Sequence, residues 1–157
     1  MAGWLNETAF LLSSGRRGLG PTWRRAVVEV LCLAGAALLA GSATIHIHLW
    51  QGSYGAIPTV GPLFLFQGVA GAVGAAVVAL VRRAAVMVVG AVLLVSTAVG
   101  LLLSHFFGLF GYKENLAVPY AGMSLWLEFV GAALLTVAAA ETMRGAWLRR
   151  KAAPVRN

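Results

Sequence analysis

Five side chains with chemically useful groups lie within or beside long apolar stretches of this chain. They are His46, His48, Gln67, His105 and Glu128. Histidine nitrogens and carboxylate oxygens exchange protons and bind transition metals, and a pair of histidines can ligate a haem iron. An ionised carboxylate is costly inside a membrane, so Glu128 is the strongest candidate for a proton or cation site.

The spacing of the histidines leaves several kinds of site open. His46 and His48 are two residues apart, so on a helix they point about 200° away from each other. One of them, together with His105, would hold a b-type haem; the same pair with Glu128 would hold copper or zinc. Alternatively, the histidines lie at the headgroup boundary and Glu128 is a neutral acid that joins two helices. No cofactor is assigned from the sequence, and no catalytic motif favours an enzyme.

Four apolar runs must position these residues. The chain of 157 residues is 60% hydrophobic and only 11% charged, whereas soluble domains carry about 25% charged residues. The runs cover residues 26–49, 60–81, 84–107 and 121–143, and about 20 residues suffice to cross a bilayer as a helix. Because the backbone in lipid must satisfy its own hydrogen bonds, the sequence predicts an all-α protein with a four-transmembrane-helix bundle.

The basic residues predict how the chain is inserted. All but Lys113 of the twelve basic residues fall in the leader 1–25, in the turn at Arg82 and Arg83, or in the tail 144–157. Cytoplasmic segments of membrane proteins carry such an excess. We therefore expect both termini in the cytoplasm and the protein in a bacterial cytoplasmic (inner) membrane. Topology and anionic lipids then explain the net charge of +7, so nucleic-acid binding is not predicted.

The polar side chains within the predicted spans lie on the side opposite to the basic residues. The five candidate side chains lie in the outer half of the predicted spans, near the connections 50–59 and 108–120. The sequence therefore predicts one polar cluster around Glu128, beneath those connections. Cys32 is the only cysteine, which excludes an intramolecular disulfide and a CxxC motif.

Three segments carry a resemblance to a known class of proteins. Residues 46–50 (HIHLW), 57–64 (IPTVGPLF) and 108–114 (GLFGYKE) resemble small four-helix inner-membrane proteins of bacteria, a class without an established activity. The resemblance implies a four-helix bundle and no mechanism. Small size and faces rich in Ala and Gly favour an accessory or assembly subunit that contacts other membrane subunits or further copies of itself. The alternative is a protein that handles haem b, a metal, protons or a small solute through the polar cluster.

Overall fold

Helices form nearly the whole of the structure. The computed structural model describes residues 2–15 and 21–152, which contain no β-strand. The α-helices in that part of the chain are α1 (Ala2–Ser13), α2 (Thr22–Gln51), α3 (Val60–Val81), α4 (Ala84–Phe107) and α5 (Ala121–Ala152). Helices α2 to α5 are long and apolar enough to cross a membrane, which confirms the predicted helical class with four span-length helices. Arg16, Arg17 and Arg156 lie outside the described residues.

The four long helices differ in how far they extend beyond the apolar runs. Helices α3 and α4 occupy the same residues as the second and third runs. Helix α2 begins earlier, at Thr22, and α5 continues to Ala152. Arginine and lysine are good helix formers. In the last turn of α5, Arg149, Arg150 and Lys151 also meet the negative end of the helix dipole. The charged flanks therefore extend the helices instead of ending them.

All four long helices contribute to one core. Leu39 of α2, Val78 of α3, Leu94 of α4 and Leu135 of α5 are each 0% exposed. Helix α2 packs mainly against α3 and α5, and α4 packs mainly against α5. Helices α3 and α4 contact each other much less, so the space between them is only partly filled.

One end of the helices, which we call the arginine end, is held by ion pairs between helices. Arg82 ends α3 in the left-handed conformation, with a φ of 50°, and the chain turns directly into α4. The Arg82 guanidinium donates to Glu29 of α2 at 2.5 Å. Arg24 of α2 pairs with Glu141 of α5. These pairs fix the ends of α2, α3 and α5 relative to one another. Being partly exposed, each contributes about 1 kcal/mol or less.

Candidate functional site

A cavity of about 300 Å³ lies between α3 and α4. It is near the loop end, by which we mean the end opposite the arginine end, where residues 52–59 and 108–120 connect the helices. Leu63 and Phe66 line it and are 47% and 65% exposed, so it opens on the surface of the helices. Its polar lining comes from His46, Gln67, Ser96, Thr97, Ser104, Tyr112 and Glu114. This volume is at the lower end of the range for small-molecule sites.

The connection 108–120 lines the cavity through Leu109, Phe110, Tyr112 and Glu114. We call it, together with the connection 52–59 that packs against it, the loop cap. A buried phenol–carboxylate contact joins its two halves. The Tyr54 hydroxyl lies 3.0 Å from both Oε1 and Oε2 of Glu114, and the Asn115 N–H donates to Oε1 at 3.0 Å. Glu114 is only 8% exposed. Because a buried polar group without partners is costly, this contact stabilises the closed cap.

The end of α4 and the start of α3 anchor the loop cap. The N–H of Glu114 donates to Ser104 Oγ at 3.2 Å, and His105 Nδ1 donates to the Glu114 carbonyl at 3.1 Å. Phe64 of α3 stacks against Tyr54, with ring centroids 4.7 Å apart and an angle of 26° between the planes. Polar contacts on one side and ring stacking on the other therefore fix the loop cap over the cavity.

The Tyr54 phenol makes the stability of the loop cap depend on pH in the alkaline range. Burial first, then hydrogen bonding with Tyr112 and Glu114 and the charge of Glu114, raise the pKa of Tyr54 above its ordinary 10.0. Because the pKa is higher in the folded state, the stability that the phenol contributes is complete below about pH 10 and is lost as the pH rises further. We expect Tyr54→Phe to lose stability less steeply than wild type in that range.

Thermal unfolding of the full-length protein at a series of alkaline pH values measures this difference. Tyr120→Phe is the matched control, since Tyr120 is exposed and that variant keeps the Tyr54–Glu114 contact. It should therefore keep the steep loss of the wild type. Parallel profiles for wild type and Tyr54→Phe would contradict the expectation.

The structure gives the three histidines different surroundings. His46 is buried, lines the cavity, and donates through Nδ1 to the Ser42 carbonyl at 2.8 Å. His48 is exposed, and its ring lies 5.4 Å from that of Tyr120. His105 is half-buried at the Glu114 carbonyl. Of His46 and His48, His46 is therefore the one that faces the interior between the long helices.

The metal hypothesis needs a histidine pair and Glu128 grouped as one ligand set. No three His, Cys, Asp or Glu side chains in residues 2–15 and 21–152 are grouped so that they could hold a metal ion. His46 and His105 each use Nδ1 for a backbone carbonyl, which leaves only Nε2 of either ring for a ligand. Haem b ligation stays a prediction.

Glu128 is away from the cavity, in the contact between α2 and α5. It is 0% exposed, and its Oε1 accepts from Ser42 Oγ at 3.2 Å and from Ser124 Oγ at 2.7 Å. Its Oε2 has no hydrogen-bond partner among the described residues. Gln67 and His46 line the cavity and Glu128 does not, so the predicted single cluster is divided between two places. Ser42 connects them, since its hydroxyl contacts Glu128 and its carbonyl contacts His46.

Sequence reasoning missed Tyr54 and Glu114, which close the loop cap. A signal for Glu114 was present, because it is the only acidic residue in either of the connections 50–59 and 108–120. The connections also carry aromatic residues, turn formers and one basic residue, Lys113. A lone acid in such a segment is informative where it is buried.

Comparison with protein-family models, with curated proteins and with solved structures finds no match to this chain.

Proposed function

We propose that this multi-pass protein binds a small amphipathic molecule in the cavity between α3 and α4. The observation that carries the proposal is the cavity itself: about 300 Å³, open on the helix surface, with a mostly apolar lining that includes several polar side chains. Small-molecule sites typically combine apolar walls with a few polar groups that orient the ligand. The exposed Leu63 and Phe66 at its mouth would let a ligand enter from the lipid.

A variant that fills the cavity tests the proposal. Gly100 of α4 lines the cavity, and a Cβ built there meets no atom within 4 Å. The Cβ of Gly100→Leu therefore has room, and the rest of the leucine side chain should occupy the ligand's space. Gly122→Leu is the matched control, because Gly122 also has nothing within 4 Å and is not part of the cavity lining.

Native mass spectrometry of the full-length protein, incubated with a total membrane lipid extract, gives the readout. Wild type and Gly122→Leu should carry a small-molecule adduct that Gly100→Leu lacks. An adduct retained by Gly100→Leu would place the ligand elsewhere. A wild-type protein without any adduct would remove the proposed function.

The proposed location is a bacterial cytoplasmic membrane, with both termini inside. The arrangement of charge supports it, because Arg24, Arg82 and Arg144 lie at the arginine end and Lys113 lies at the loop end. In a Cys32→Ala background, an impermeant maleimide should label Lys113→Cys in intact cells and Arg83→Cys only after lysis. Both positions are exposed, so labelling of Arg83→Cys from outside would reverse the orientation.

Membership of a larger membrane complex, as an accessory or assembly subunit, is a second proposal. An apolar groove between α4 and α5, lined in part by the exposed residues Val92, Val95 and Ala140, supports it, because a small residue such as Ala140 allows close helix approach in lipid. Co-purification of the full-length chain with a stoichiometric partner would favour it. A homogeneous monomer in mild detergent would count against it.

A further inference from the structure

Two of the polar residues that line the cavity, His46 and Glu114, offer hydrogen-bond acceptors. A carbonyl can only accept, so the contact with the Ser42 carbonyl assigns the proton of a neutral His46 ring to Nδ1. Its Nε2 is then an acceptor, and it has no hydrogen-bond partner among the described residues. Glu114, whose carboxylate oxygens are acceptors, also lines the cavity. Acceptors of this kind attract a positively charged ligand, with or without N–H donors.

Glu114 is a buried acid with no counter-ion in residues 2–15 and 21–152. The ion pairs in that part of the chain involve Glu29 and Glu141, both at the arginine end. The Tyr54 hydroxyl and the Asn115 N–H donate to the Glu114 carboxylate, and neither carries a positive charge. A buried carboxylate without a positive partner attracts a cation strongly, because little water screens it.

Aromatic rings lie beside this carboxylate. Phe64 and Tyr112 line the cavity, and both contact the ring of Tyr54, at centroid distances of 4.7 Å and 5.8 Å. The faces of aromatic rings attract organic cations, and quaternary ammonium groups are recognised in this way in other proteins. Calcium and magnesium ions take about six or more oxygen ligands, which favours an organic cation in this largely apolar lining.

We propose that the cavity binds an organic ammonium ion with an apolar substituent, the carboxylate of Glu114 serving as the counter-charge and the aromatic rings as walls. The apolar substituent would lie against Leu101 and Leu109, which line the same cavity. This inference rests on the proposed small-molecule function and names the ligand class of the same site.

Two probes of nearly equal shape test the charge requirement. Benzyltrimethylammonium carries a quaternary nitrogen, and neopentylbenzene has a neutral carbon at the same position. Binding of each to detergent-purified full-length protein is measured by calorimetry. The wild type should bind the cation about tenfold or more tightly than the neutral compound, because the cation gains both the carboxylate and the ring faces.

The variant Glu114→Gln separates the charge from the hydrogen bonds. Its amide oxygen still accepts from Tyr54 and Asn115, so the loop cap is kept while the negative charge is removed. The preference for the cation should fall to about twofold or less, since only the ring faces remain. If this variant does not fold, the comparison of the two probes on the wild type still decides the question.

The outcomes distinguish the two proposals. Equal binding of both probes to the wild type, abolished by Gly100→Leu, would overturn the ammonium inference and leave the cavity as a binding site for neutral amphipathic molecules. A cation preference that survives Gly100→Leu would overturn the assignment of the site. Absence of binding by either probe would overturn the ammonium inference, while the adduct experiment would still judge the proposed function.

Discussion

Gly61→Ala is expected to destabilise the protein by about 1–3 kcal/mol through overpacking, and to open the loop cap. Gly61 lies in the first turn of α3, directly beneath the turn Tyr54–Ala56. A Cβ at this position would lie 2.5 Å from the Gly55 carbonyl oxygen and 2.9 Å from that of Tyr54. Both obstacles are backbone atoms, so neither can move aside by changing a rotamer. The turn itself must shift, and the Tyr54–Glu114 contact depends on its position.

Two measurements check this expectation. Thermal unfolding reports the loss of stability, and hydrogen exchange over residues 52–59 and 108–120 reports the opening of the loop cap. Gly122→Ala is the control, because a Cβ there meets nothing within 4 Å and alanine has the higher helix propensity. That variant should melt at or above the wild-type temperature. If Gly61→Ala behaves like the control, the close contact between α3 and the turn does not exist in the membrane.

Glu128→Ala is expected to lower the free energy of unfolding by about 2–5 kcal/mol, the range for truncating a large buried side chain. Glu128→Met should cost less than about 1.5 kcal/mol, because it keeps most of the volume. The carboxyl is fully buried, one of its oxygens has no partner, and the other accepts from Ser42 and Ser124. In the methionine variant, each serine hydroxyl can bond instead to a carbonyl one turn earlier in its own helix.

The comparison of the two variants shows what the carboxyl contributes. A small loss in Glu128→Met would mean that packing between α2 and α5 needs volume at this position and not charge. The buried carboxyl would then serve a purpose other than stability, such as the proton or cation site predicted from the sequence. A loss in Glu128→Met as large as in Glu128→Ala would show instead that the hydrogen bonds to the serines hold the helices together. Unfolding in detergent, titrated with a denaturing detergent, measures both variants.

The loop cap shows where sequence reasoning reached its limit. The glycines, prolines and aromatic residues of the connections 50–59 and 108–120 favour turns, but nothing local indicates that Tyr54 reaches a carboxylate sixty positions later in the chain. Such a contact depends on how α3 and α4 are placed by their packing on α2 and α5. The same placement leaves the cavity between α3 and α4, which no residue pattern along the chain could reveal.

The sequence by itself determined the helical class and the four helices long enough to span a membrane. These follow from length and apolarity, which are local properties, and from the need of a backbone in lipid to satisfy its own hydrogen bonds. Only the tertiary structure decided that His46 is buried while His48 is exposed, that Glu128 lies apart from the cavity, and that Glu114 lines it. Those outcomes depend on the rotation of each helix about its axis and on how the loops close, and side chains far apart in the chain set both.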